Sequence, residues 1–143
     1  MLIGEYQHTI DTKKRMALPA KFRKELGESV VVTRGLDNCL VVYPLKEWQV
    51  MSDKLGGLPE GQVEARGFAR LKLGGAMEVG LDKLGRILIP EYLKQYASLK
   101  KNVTVCGLNN RLEVWDSQAW DEYKKKTESE VGDLAAKLKE LGI

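Results

Sequence analysis

The chain carries one pattern twice. Asp11-Thr12-Lys13-Lys14-Arg15-Met16-Ala17-Leu18-Pro19 returns 71 residues on as Asp82-Lys83-Leu84-Gly85-Arg86-Ile87-Leu88-Ile89-Pro90. Gly35-Leu36-Asp37-Asn38-Cys39-Leu40 returns 72 residues on as Gly107-Leu108-Asn109-Asn110-Arg111-Leu112. The copies close with Val42-Tyr43-Pro44-Leu45-Lys46-Glu47-Trp48 and Val114-Trp115-Asp116-Ser117-Gln118-Ala119-Trp120. Three blocks kept in order are poorly explained by chance, and the step in offset indicates one residue gained in the second copy. A repeat unit of this size cannot bury its apolar face alone. The expectation is one small β unit duplicated, each copy burying its apolar face on the other.

A length of 143 residues suits one domain, or two half-sized units sharing a core. The longest apolar runs, Val30–Val32 and Leu40–Tyr43, are far too short to span a bilayer. The opening Met1-Leu2-Ile3-Gly4-Glu5-Tyr6 has neither the basic region nor the long apolar region of a secretory signal. A cytoplasmic location is expected. Cys39 and Cys106 sit on strand-like runs at non-equivalent repeat positions, without CxxC or zinc spacing, and read as small buried hydrophobes. His8 is the only histidine, which argues against a histidine-based metal site or catalytic triad. No metal, cofactor or small-molecule substrate is expected.

Charge is unevenly spread. The net charge is only +3, yet residues 11–24 hold Lys13, Lys14, Arg15, Lys21, Arg23 and Lys24 against Asp11 alone. Such a patch suits a phosphate-bearing partner; a solvated basic face is the alternative from charge alone.

Read in order, Tyr6–Ile10 is a strand, Asp11–Lys14 a polar turn and Met16–Leu18 a short strand ended by Pro19. Ala20–Leu26 reads as a helix stopped by Gly27, and Val30–Thr33 and Leu40–Tyr43 as a hairpin around Gly35–Asn38. The second copy repeats this with strands at Met77–Leu81 and Arg86–Ile89, a helix at Pro90–Tyr96, and a hairpin of Val103–Cys106 and Leu112–Trp115. A helical hairpin joins the copies. Its first arm starts at Pro44, with Leu45, Trp48, Met51 and Leu55 at helical spacing, and its second runs from Glu60 to Leu73. Ser117 reads as the N-cap of a terminal helix. Val131, Leu134, Leu138 and Leu141 extend an apolar stripe that either frays or packs on a neighbouring subunit.

The repeated signature is Asp-x-x-x-Arg, an apolar triplet, then Pro. A carboxylate opening a tight turn accepts from backbone N–H groups two or three residues on. It can also pair with the arginine four positions later. A guanidinium held this way presents a rigid fork of donors, suited to phosphate oxygens or to the O6/N7 edge of guanine. The alternative is that Asp11–Arg15 and Asp82–Arg86 merely brace their turns. The candidate DNA-binding residues are Asp11, Lys13, Lys14, Arg15, Lys21 and Arg23 in the first copy, and Asp82, Lys83 and Arg86 in the second.

On these residues the chain resembles the MraZ family of tandem AbrB-type (swapped-hairpin) repeats. The resemblance runs over residues 1 to about 125 and includes Gly4–Asp11, Pro19–Arg23, Gly35-Leu36-Asp37, Tyr43–Trp48, Glu64-Ala65-Arg66, Arg70-Leu71, Gly75-Ala76, Asp82 and Gly85–Pro90. It implies an α+β, β-rich fold, in which two repeats form a pseudo-two-fold swapped-hairpin barrel of double-ψ type, with a helical hairpin between them and a C-terminal helix. The implied boundaries are 5–47 for the first repeat, 48–75 for the connector, 76–119 for the second repeat and 120–143 for the tail. It also implies a nucleoid-associated, autoregulatory repressor of the bacterial division and cell-wall gene cluster. Such a protein assembles as a homo-oligomeric ring, an octamer or dodecamer, and binds GT-rich direct repeats in promoter double-stranded DNA. The family's DNA-contacting signature maps onto Asp11, Lys13 and Arg15, and onto Asp82 and Arg86. Two positions depart from it. Lys14 stands where glycine is usual, so the first turn is expected to be reshaped, with one more cation beside the phosphates. Leu84 stands where a polar residue is usual, so the first loop is ranked above the second.

A head-to-tail interface that closes gives cyclic symmetry, with every subunit presenting the same loop in one direction. That suits direct repeats about one helical turn apart, whereas a two-fold dimer suits palindromes. An antitoxin or other interaction module of the same fold is the competing reading. The mixed tail, with six acidic and five basic residues over 121–140, is unlike an acidic disordered one. Asp11 and Asp82 could form an acid/base pair in an enzyme, but their duplication and arginine partners suit binding, and no nucleophile motif or P-loop is present.

Overall fold

A computed structural model describes residues 1–143. Its strands are β1 (Leu2–Thr9), β2 (Arg15–Ala17), β3 (Ser29–Arg34), β4 (Leu40–Pro44), β5 (Met77–Gly80), β6 (Arg86–Leu88), β7 (Asn102–Asn109) and β8 (Leu112–Asp116). Its helices are α1 (Arg23–Leu26), α2 (Leu45–Gly56), α3 (Val63–Gly74), α4 (Glu91–Tyr96), α5 (Ser117–Ser129) and α6 (Val131–Lys137). The expected elements are all present, in an α+β, strand-rich chain. The β3–β4 connection is closed by Gly35 N–H donating to the Cys39 carbonyl (2.8 Å), and within it Asp37 and Asn38 take left-handed φ of 62° and 61°, which Asp and Asn tolerate better than most residues.

Strand pairing crosses between the copies. Six antiparallel strands lie in the order β1-β7-β8-β4-β3-β5, and β2 pairs with β6 in a separate two-stranded ribbon. The first copy's β1 thus lies along the second copy's β7, from Leu2↔Asn109 to Thr9↔Asn102. The second copy's β5 lies along the first copy's β3, from Ser29↔Gly80 to Val32↔Met77. Two pairings join equivalent strands. In β4–β8, Leu40↔Val114 and Val42↔Leu112 flank Val41↔Glu113; in β2–β6, Arg15↔Leu88 and Ala17↔Arg86 flank Met16↔Ile87. Both are self-complementary about their middle pair, so one pseudo-two-fold axis relates the halves. The register also refines the repeat. Ser29 and Asn102 open equivalent strands, an offset of 73, so the second copy gained two residues before this strand and lost one in the following hairpin.

The barrel implied by the resemblance does not close. β1 and β5 are the edges of the large sheet, and beyond it β1's extension meets β2 only through the single bridge Ile10↔Met16. The physical reason is length. β2 and β6 have three residues each, bounded by a tight turn on one side and by Pro19 or Pro90 shortly after, and proline cannot extend a ladder.

One face of the sheet and the ribbon enclose the core. Val30, Val32, Leu40 and Val42 meet Val103, Val105, Leu112 and Val114, with Met16 and Ile87 from the ribbon, Phe22 from a 3-10 turn (Ala20–Phe22) that leads into α1, and Leu93 from α4. Every layer mixes the two copies, so neither half has a core of its own. The opposite face carries α2 and α3. The Thr33 hydroxyl donates to the Lys72 carbonyl (2.6 Å) and Arg34 to the Leu71 carbonyl (3.0 Å). α3 starts at Val63, later than the expected Glu60, because Gln62 N–H turns back to the Pro59 carbonyl. α5 is capped by Asp116, whose carboxylate accepts from Ala119 N–H (3.3 Å), and not by Ser117 as expected. Ser117 is the first helical residue, and its hydroxyl bonds to Gln7 and Thr104. Trp120 and Tyr123 pack on Trp115. α6 buries no residue. No helix is long and apolar enough to cross a membrane.

Candidate nucleic-acid interface

The two Asp-x-x-x-Arg turns have the same hydrogen bonds. In the first, Asp11 Oδ1 accepts from the backbone N–H groups of Lys13 and Arg15, both at 2.9 Å, and Oδ2 accepts from Arg15 Nε at 2.8 Å. In the second, Asp82 Oδ1 accepts from Leu84 N–H (3.0 Å) and Arg86 N–H (2.8 Å), and Oδ2 from Arg86 Nε (2.8 Å). Lys14 N–H donates to the Asp11 carbonyl, and Gly85 N–H to the Asp82 carbonyl, closing each turn. The Arg15 backbone amide, foremost, and then its guanidinium hold the Asp11 carboxyl below the usual carboxylate range; Arg86 does the same for Asp82. Each aspartate is therefore ionised at neutral pH. It fixes its guanidinium through Nε, and neither arginine's Nη groups make a hydrogen bond within the protein.

The expected reshaping at Lys14 does not occur. Lys14 has φ 63° and Gly85 has φ 71°, so lysine takes the left-handed conformation despite its cost of about 1–2 kcal/mol. Nor is its charge free, because Lys14 Nζ lies 2.7 Å from Glu91 Oε2. That contact in turn lowers the Glu91 carboxyl below its ordinary range.

The ribbon joins the two turns into one surface. Met16 and Ile87 face the core, so Arg15, Ala17, Arg86 and Leu88 face outward by strand alternation. Arg15 and Arg86 are diagonal neighbours across the ladder, a relation that sets β-carbons about 7–8 Å apart or less. Arg86 Nη1 comes within 4.0 Å of Asp11 Oδ2. Two anchored guanidinium groups, drawn from positions 71 residues apart, thus stand side by side on one outer face.

The remaining candidates separate. Lys13 and Lys83 are exposed in the turns. Lys21 is exposed, with Nζ 5.4 Å from the centre of the Tyr6 ring. Arg23 lies under the second turn. It donates to the Leu18 carbonyl (3.3 Å), its buried Nε has no hydrogen-bond partner, and a β-carbon on Gly85 would sit 2.0 Å from that Nε. Arg23 therefore packs as a support to the turn. Two cations were missed by sequence reasoning. The Lys101 carbonyl accepts from Ile10 N–H (2.8 Å) just before the first turn, which brings exposed Lys100 and Lys101 beside it; the equivalent bond at the second turn, Leu81 N–H to the Glu28 carbonyl (2.9 Å), brings an acid. The strand exchange sets this contrast, and the repeat alignment alone does not reveal it. His8 is biased toward its neutral form by burial and then by the charge of Arg23. No group of three His, Cys, Asp or Glu side chains is arranged to hold a metal.

Residues 1–71 and 73–140 match the family described as "MraZ protein, putative antitoxin-like". Over 143 residues, the whole of both chains, the sequence is 46% identical to the transcriptional regulator MraZ of Natranaerobius thermophilus. On the same full coverage it is 48% identical to the protein of that name from Caldanaerobacter subterraneus subsp. tengcongensis and 47% identical to that from Clostridium acetobutylicum.

Proposed function

The chain belongs to the MraZ family, and from that premise we propose that it is a transcriptional regulator acting as a sequence-specific binder of double-stranded DNA. It is not an enzyme in this reading. The observation that carries it is the pair of aspartate-anchored guanidinium groups side by side on the β2–β6 ribbon. A two-stranded ribbon fits the major groove. There Arg15 and Arg86 offer paired donors to guanine edges or phosphates, while Lys13, Lys83 and Lys21 supply phosphate contacts, with Lys14 and Arg23 shaping the turns. The flanking Lys100 and Lys101 support a leading role for the first loop.

The finer reading follows the family. Residues 5–47 and 76–119 are the two AbrB-type repeats, and the pairing of β1 with β7 and of β5 with β3 supports the swapped-hairpin description. The chain assembles as a closed ring of eight or twelve subunits and binds direct repeats in the promoter of a division and cell-wall gene cluster. It represses that cluster, including its own gene, and works in the cytoplasm at the nucleoid. Flat ring and straight duplex do not match over many subunits, so one of them deforms on binding.

The test is a gel shift on the DNA upstream of the protein's own gene. Wild type is expected to give a discrete complex whose affinity falls steeply with salt, because each neutralised phosphate releases counterions. Arg15→Ala is expected to weaken it about 10- to 100-fold, the range for loss of a bidentate base contact. Equal affinity in the variant contradicts the reading. A second reading, an interaction module of antitoxin type, draws on the family's description and on the exposed apolar side chains of the tail. Stoichiometric co-purification with a toxin-like protein, in the absence of DNA binding, would favour it.

A further inference from the structure

The outer face of the ribbon is two-fold in backbone but not in chemistry. The repeat sets Leu84 where the first copy has Lys13, and Leu88 where it has Ala17. Leu84 is 62% exposed and Leu88 is 52% exposed. Leu88 is the cross-strand partner of Arg15, and Leu84 gives its backbone N–H to the same Asp82 oxygen as Arg86. A single exposed leucine is ordinary on a protein surface. Two of them bracketing Arg86, on a face shared with Arg15 and small Ala17, are not explained by folding, because Met16 and Ile87 already fill the core side of the ribbon.

The cations around these leucines argue for a nucleic-acid occupant. In the major groove, the apolar feature that identifies a base is the C5-methyl group of thymine, and small apolar side chains recognise it. We propose that Leu84 and Leu88 are specificity-determining residues that contact thymine methyl groups next to the positions held by Arg15 and Arg86. Ala17, at the place equivalent to Leu88, reaches less far. The second copy's side of the ribbon therefore reads methyl groups, while Lys13, Lys100 and Lys101 on the first copy's side hold phosphates. A pseudo-symmetric scaffold gains a direction along the duplex, and its site is non-palindromic within one subunit. This rests on the DNA-binding reading above.

The experiment starts from a 30-bp duplex selected out of a randomised pool by the full-length wild-type chain. Each thymine is then replaced in turn by deoxyuracil, which lacks only the methyl group, and affinity is read by fluorescence anisotropy. Wild type should lose about fourfold at one or two positions, the worth of one buried methyl. In Leu88→Ala or Leu84→Ala, the same replacement should cost nothing at one of those positions. The proposal is overturned if no replacement costs more than about twofold, or if the penalties persist in both leucine variants, as they would were the leucines to serve a protein interface. Failure to enrich any duplex overturns the DNA-binding reading itself, and undiminished binding of the selected duplex by Arg15→Gln overturns the placing of that binding on the ribbon; both are distinguishable from the first result.

Discussion

Lys14 and Gly85 occupy the same left-handed point of equivalent turns with opposite surroundings. The Lys14 side chain runs to Glu91, whereas Gly85 packs directly on Arg23 Nε. At position 14 backbone strain dominates, since an exposed ion pair is worth only about 0–1 kcal/mol. Lys14→Gly should therefore be more stable than Lys14→Ala by about 1 kcal/mol in urea unfolding. At position 85 both strain and space oppose a side chain. Gly85→Ala should cost more than about 1 kcal/mol, and part of that cost should disappear when Arg23→Ala is added. The anchoring carboxylates make a pH-dependent contribution. Their folded pKa values lie below the ordinary value of 3.8, so their stabilisation is complete above the unfolded carboxylate range and is lost as pH falls through the lower folded values. Asp11→Asn and Asp82→Asn should thus be destabilising at pH 7 and progressively less so below about pH 4, with NMR carboxyl titrations of the wild type giving midpoints under 3.8. The Asp-x-x-x-Arg chemistry was legible in the sequence because all its partners lie within one turn. The Lys14–Glu91 pair and the place of Arg23 beneath Gly85 were not, because both depend on contacts between copies.

The ribbon is the element on which the proposed site depends, and it has only three residues per strand. It is held from below by the fully buried Met16 and Ile87. Met16→Ala should cost about 2–5 kcal/mol, read from the urea midpoint, as expected for a truncated core side chain. DNA affinity should fall with it even though residue 16 faces away from the outer surface. At the other end of the sheet, Asp116→Ala should cost about 1 kcal/mol through loss of the α5 cap. Element types were legible from β-branched runs and turn residues. Lengths were less so. β7 runs on to Asn109 past the expected Cys106 because β1 lies beside it, and a β-carbon on Gly107 would sit 2.6 Å from Ile3 N. That contact belongs to a strand more than a hundred residues away in the chain.

At the scale of the molecule, the repeat predicted two units sharing a core, and the structure goes further by exchanging strands between them. Patterning within one strand says which face is buried but not which partner lies alongside, so neither the exchange nor the open sheet edges could be read from the repeat. The tail is the least integrated part. Val131 is 63% exposed and Leu141 is 74% exposed, and α6 adds nothing to the core. Truncation after Ser129 should leave the urea midpoint of the body unchanged but reduce the mass of the assembly in light scattering, if the apolar stripe packs on a neighbouring subunit as its exposure suggests. An unchanged mass would exclude the tail from any contact between subunits. Whether two carboxylate-anchored guanidinium groups on one ribbon grip the duplex is decided by the affinity of Arg15→Gln/Arg86→Gln for the DNA upstream of the protein's own gene, measured by anisotropy across a salt series. Binding is expected to be at least about 100-fold weaker than wild type, with a salt slope shallower by up to about two phosphates, while the variant stays folded, its unfolding midpoint lowered only by loss of the two Nε–carboxylate bonds. A folded double variant that binds as tightly as wild type would contradict this expectation.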